Sequence, residues 1–275
     1  MIAEYLKCAV PVCQDLATLD APPAEIAISG QSRNTHLLSQ WPQIDRVWLV
    51  HINQKSFDSL IPLLNPVSLV LYDFRSKQLD ALAGFTRITE LSLQWNPKVK
   101  SLRTLEKLTG LRTLVLNDLP KISRLDPITH LTQLEALDLG GGIWADLQVN
   151  TLAPLSFLVS LRWLVLRNIT AMDQSLAPLY PLHTLEHLEL PNLFPTREYI
   201  KLSLALPHVD CAMFSPYVTL PQPLDDKDIM VVGRRKPFLN SQKDKARLEA
   251  YCLKFEALRR SLKSRDARYQ PQTVC

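Results

Sequence analysis

Apolar residues recur along most of this chain in one short pattern, neither in helix-length stripes nor in simple alternation. The segments IDRVWLVHI, VSLVLYDFR, ITELSLQWN, LRTLVLNDL, LEALDLGGG, LRWLVLRNI and LEHLELPNL begin at Ile44, Val67, Ile88, Leu111, Leu134, Leu161 and Leu185. Each places apolar side chains at positions 1, 4 and 6. A weaker copy, PAEIAISGQ, starts at Pro23, and a degenerate one, VDCAMFSPY, starts at Val209. Successive starts fall 21, 23, 21, 23, 23, 27, 24 and 24 residues apart. On a short strand, positions 4 and 6 point inward while 3 and 5 point outward. The rest of each unit returns on apolar residues about three apart, such as Ile122, Leu125, Ile128 and Leu131, which predicts 3₁₀ or short helical turns. Pro127, Pro154 and Pro178 each precede the next start by seven residues, a place where proline opens a helical turn. No unit can bury its apolar face alone, so stacking must create the core.

These LxxLxL units, followed by returns such as LDPI and LAPL, resemble the short internalin-like leucine-rich repeats of bacterial proteins across residues 23–214. The resemblance implies an α/β solenoid, with a curved parallel β-sheet on the concave face and short helical or 3₁₀ turns on the convex face. One departure is visible. The family places asparagine at position 9, and only Asn96 matches; Ile52, Leu119, Ile169 and Leu193 stand at the equivalent sites. Apolar stacking then replaces most of the asparagine ladder, and the backbone amides it would have served need other partners.

A solenoid needs both ends covered. Residues 1–22 are expected to form a short helical N-terminal cap ending at Pro22-Pro23, and 23–214 the solenoid. Residues 215–265 read as a C-terminal linker, strand and capping helix, and 266–275 as a disordered tail. Within them, SPYVTLPQPLDD reads as an irregular connection, and IMVVGRRKPFL as a strand with a turn near Gly233. The G-x-x-KPFL segment is similar to one that precedes a final amphipathic helix in some bacterial leucine-rich-repeat proteins. The helix begins near Ser241, with Asn240 or Ser241 as N-cap. Leu248, Tyr251, Cys252, Phe255, Leu258 and Leu262 follow helical spacing and are expected to make one buried stripe. The 27-residue interval after Leu134 marks an insertion around GGGIWADLQVN. Its Trp144 is expected to pack over the edge of the core, the alternative being an anchor at the rim of a binding surface.

Composition adds little until it is divided. The net charge of +4 splits into −2 over residues 1–224 (18 basic, 20 acidic) and +6 over 225–275 (13 basic, 7 acidic). Basic character therefore belongs to the C-terminal segment. No apolar run nears the roughly 18 residues of a membrane span, and the start lacks the basic and apolar regions of a secretory signal. The cysteines at 8, 13, 211, 252 and 275 show no CxxC or zinc-ligand spacing. They read as reduced thiols of a cytoplasmic protein, with a Cys8–Cys13 bridge as the alternative for an exported one. No cofactor or metal is expected. Walker, HExxH and GxSxG motifs are absent, and the residues beyond the solenoid are too few for a typical catalytic domain.

What remains is binding. Nine strands would give a sheet roughly 38 Å long at about 4.8 Å per strand. Positions 3, 5, 7 and 8 face outward and supply the expected protein-binding residues. These are Arg46, Trp48 and His51; Asp73 and Phe74; Glu90, Gln94 and Trp95; Asn117 and Asp118; Asp138; Trp163, Arg167 and Asn168; and His187, Glu189 and Asn192. Tryptophan and arginine are over-represented at interface hot spots. A monomer binding a protein partner on this face is the expectation. The alternative is nucleic acid or another polyanion on the basic C-terminal segment, through Arg234, Arg235, Lys236, Arg259, Arg260, Lys263 and Arg265.

Overall fold

The structure is a computed structural model that describes residues 10–266. The expected tail from 267, the first nine residues of the expected cap, and the Cys8–Cys13 alternative lie outside the described residues.

Eight strands form one parallel sheet: β1 (Glu25–Ser29), β2 (Arg46–Val50), β3 (Ser68–Tyr72), β4 (Glu90–Gln94), β5 (Thr113–Asn117), β6 (Ala136–Gly140), β8 (Trp163–Arg167) and β10 (His187–Glu189). Strands β7 (Leu147–Val149) and β9 (Ile169–Ala171) pair separately as a small parallel ribbon. The degenerate last unit adds only a bridge from His187 to Asp210. The sheet is thus one strand shorter than expected, roughly 34 Å from edge to edge.

One unit explains the rest. Leu111, Leu114, Leu116, Leu119, Ile122, Leu125, Ile128 and Leu131 are each no more than 2% exposed. After the strand, i→i+3 hydrogen bonds close the return: Ile128 N–H to Leu125 O, Leu131 to Ile128 and Leu134 to Leu131, each 3.0 Å. A 3₁₀ turn has 3.0 residues per turn, so apolar residues three apart stay on one inward line. Pro127, Pro154 and Pro178 all open such turns. Two units use α-helix instead: α1 (Gln54–Leu60), capped by the Asn53 side chain, and α2 (Thr196–Ala205).

Strand pairing corrects the frame of one unit. Val47 pairs with Leu69 and Leu49 with Leu71, so the third unit starts at Pro66, one residue before Val67. Starts at 44, 66 and 88 are then evenly 22 apart. Because side chains alternate in a strand, a slip of one residue exchanges the faces. Phe74, expected at the surface, is position 9 and lies wholly in the core, while Tyr72 is position 7 and faces out.

After five of the eight strands, position 8, where the chain turns back toward the core, takes left-handed backbone: His51, Asp73, Trp95, Asp118 and Asn168 have φ between 44° and 55°. The Asn96 side chain serves the turn that follows. Its Oδ1 accepts from Lys98 N–H (2.6 Å) and Val99 N–H (2.9 Å), and its Nδ2 donates to Ser76 O (2.9 Å). At the sites lacking asparagine, Ile52, Leu119 and Ile169 are buried.

The N-terminal cap differs from expectation in its described part. Residues 10–15 are not helical: Val12 bridges Ala27 at the free edge of β1, and a single 3₁₀ turn follows at Leu16–Thr18. At the other end, SPYVTLPQPLDD is not irregular throughout. Its residues Tyr217–Leu224 form β11, which pairs antiparallel with β12 (Lys227–Val231), and β12 with β13 (Phe238–Leu239). Pro221 and Pro223 are tolerated because β11 is an edge strand, where a missing N–H costs no ladder bond; the register shifts between Thr219 and Leu224. The last helix, α3 (Lys245–Asp266), follows a turn in which Asn240 Oδ1 accepts from Gln242 and Lys243 N–H at 3.0 and 2.9 Å. Of its expected buried stripe only Phe255 is fully covered; Leu258 is 36% exposed and the others are half-buried.

Candidate protein-binding face

The outward side chains of the parallel sheet form columns running across the strands. The central column, Ala27, Trp48, Val70, Ser92, Val115, Asp138 and Val165, is almost fully buried. The flanking columns and the position 8 rim carry the accessible groups.

Three expected surface residues are therefore not accessible. Phe74 is in the core, for the reason of register. Trp48 is 2% exposed because Val10 and Val12 of the N-terminal segment pack on it with Ala27 and Val70. Its indole Nε1–H is buried without a hydrogen-bond partner among the described residues. Asp138 is 3% exposed and is paired with Arg167, Nη1 to Oδ2 at 2.5 Å. Burial pushes the Asp138 carboxyl above its ordinary range; Arg167 pulls it down and Glu189 pushes it up.

The remaining residues reach the face or its rim, and several are already paired. Arg46 meets Glu25 at 3.0 Å, and His51 meets Asp73 at 2.8 Å, with Arg75 at 3.7 Å from the same carboxylate. Gln94 donates to Ser92 Oγ at 2.8 Å. Trp163 stacks on His187 with centroids 3.8 Å apart and planes 16° from parallel, and His187 Nε2 lies 2.9 Å from Glu189. Asn117 is half-buried on β5. Two asparagines serve the fold itself. Asn168 donates to Gly142 O (2.8 Å) and holds the insertion. Asn192 donates to Val231 O (2.9 Å) and accepts from Gly233 N–H (2.6 Å), tying the C-terminal sheet to the solenoid. Glu90 and Asp118 have no side-chain hydrogen bond or ion pair among the described residues.

Tyr72 and Trp95 make the other aromatic pair, with centroids 5.2 Å apart and planes 27° from parallel. Trp95 remains 47% exposed although it holds a left-handed backbone, φ 55°. Asparagine, aspartate and histidine tolerate that region; a bulky residue there is an outlier. A shallow groove beside Trp95 is lined by Asp73, Arg75, Asn96, Lys98 and Asp118. Pairing of Tyr72 with Trp95 was hidden in the sequence by the slipped frame.

The insertion also departs from expectation. Trp144 is 97% exposed and Ile143 86%, so the tryptophan is at the rim and not over the core. Two of the glycines before it leave no room for a side chain. A Cβ on Gly140 would lie 2.5 Å from Arg167 O, and one on Gly141 2.5 Å from Ala145 O.

Among the described residues no group of three or more His, Cys, Asp or Glu side chains could hold a metal ion, and no helix is long and apolar enough to cross a membrane. No protein-family model and no curated protein matches the chain. Solved structures do. Internalin C2 of Listeria monocytogenes is 26% identical over 58% of this chain and 73% of its own, with a TM-score of 0.45. The internalin inlF of the same organism is 15% identical over 68% and 66%, TM-score 0.45. A leucine-rich-repeat protein of Leptospira interrogans is 18% identical over 76% of this chain and 62% of its own, TM-score 0.50.

Proposed function

We propose that this chain, which has the leucine-rich-repeat solenoid fold, is a non-catalytic interaction module that takes a protein partner on its concave sheet face. The observation that carries this reading is the pair of aromatic stacks left open on one face, Tyr72 with Trp95 and Trp163 with His187. Aromatic side chains anchor interfaces because they bury much apolar area at little entropic cost. The mixed and slightly acidic charges around them suit a protein better than a phosphate backbone. In this reading the chain is a monomer by itself and works in the cytoplasm as an adaptor, an immunity-type inhibitor or an effector; the free thiols of Cys211 and Cys252 fit a reducing compartment.

The test is capture from the native lysate with the tagged chain, with and without nuclease. It is run beside a Trp95→Ala/Trp163→Ala double variant and a convex-side control, Phe157→Ala, whose ring is 59% exposed. One protein retained by wild type and control and lost with the double variant supports the concave face. Equal capture by all three overturns it, and capture that vanishes with nuclease moves the function to the basic C-terminal segment.

A further inference from the structure

We propose that the rim formed by Trp95, Asp118 and the Ile143–Trp144 tip seats an arginine or lysine side chain from a basic, partly apolar segment of the protein partner. This rests on the concave-face reading above and gives its partner a chemistry.

The inference begins with charge. Across the face, Glu25, Asp73, Glu90, Asp118, Asp138 and Glu189 stand against only Arg46 and Arg167. Both guanidinia are committed, Arg46 to Glu25 and Arg167 to Asp138. At the rim, Arg75 and His51 serve Asp73. Asp118 forms no ion pair among the described residues and lies next to Trp95 of the adjoining unit, about 4.8 Å along the sheet. Lys98 lines the same groove but forms an ion pair with neither carboxylate among the described residues.

Shape points the same way. Trp95 is backed by Tyr72, so its ring is held flat while 47% of the residue stays open. An indole face beside a carboxylate is what a guanidinium needs, one surface for cation–π stacking and one for a charge-assisted hydrogen bond. Gly142 approaches the Asp118 carboxylate so closely that the exposed Ile143–Trp144 tip begins beside it. The cation site thus has an apolar neighbour, which favours a side chain presented by a polypeptide over a free ion.

Titration followed on the indole N–H resonances of the full chain tests this, with Trp95→Phe used to assign its signal. The probes are the Nα-acetyl forms of argininamide and of its neutral isostere citrullinamide and, as the opposite charge, N-acetylglutamate. The expected result is a saturable shift of the Trp95 resonance with argininamide, about tenfold weaker with citrullinamide. Asp118→Asn removes that preference and leaves the other indole signals, hence the fold, in place. Equal response to argininamide and citrullinamide, a stronger response to N-acetylglutamate, or no change at Trp95 each overturns the proposal. If it is overturned while partner capture still depends on Trp95 and Trp163, the concave-face reading stands and only the cationic partner falls.

Discussion

At the scale of single residues, environment decides what the repeat pattern cannot. Asp138 occupies an outward position, yet it is buried, and its proton is held more tightly in the folded chain than in the unfolded one. Its raised pKa makes stability fall as pH rises above the ordinary carboxyl value of 3.8. Asp138→Asn should therefore gain thermal stability relative to wild type as pH is raised above about 4, read as the Tm difference; a difference that moves the other way contradicts the assignment. Cys211 is a second case. Burial pushes its thiol up to about 11, so iodoacetamide at mildly alkaline pH should leave it unlabelled while the less buried Cys13 reacts, as peptide mapping will show. The sequence could not reveal the burial of Trp48, because the residues that cover it, Val10 and Val12, lie outside the repeats.

At the scale of elements, the repeat was legible almost throughout, since inward leucines two apart followed by apolar residues three apart leave one way to stack. It failed at β3, where Leu69, Val70 and Leu71 are all at most 2% exposed. With both faces apolar, two frames fit the pattern equally, and only pairing with β2 and β4 separates them. Urea denaturation tests the frame: Phe74→Ala should cost about 3–5 kcal/mol through a core cavity, whereas Tyr72→Ala should cost less than about 1 kcal/mol. Comparable losses would restore the other frame. Leu114→Ala, inward in either frame, should cost about 2–5 kcal/mol. Asn96→Ala strands three backbone groups, Lys98 N–H, Val99 N–H and Ser76 O, with an expected loss of about 1–3 kcal/mol. Strand β11 escaped the sequence because its prolines argue against a strand except at an edge.

At the scale of the whole molecule, the solenoid lays two aromatic stacks and an open rim loop along a sheet roughly 34 Å long. The location of this face was legible from outward positions. Its accessible composition was not, since Tyr72 replaces Phe74, Trp48 is covered, and Trp144 stands at the rim. The central claim is that partners meet the concave face. It is tested most directly by placing a photo-crosslinking p-benzoylphenylalanine at position 95, and separately at position 157 on the convex side, in the native cell. The account predicts an adduct with one discrete protein from position 95 and none from position 157; adducts from 157 alone, or equally from both, would contradict it.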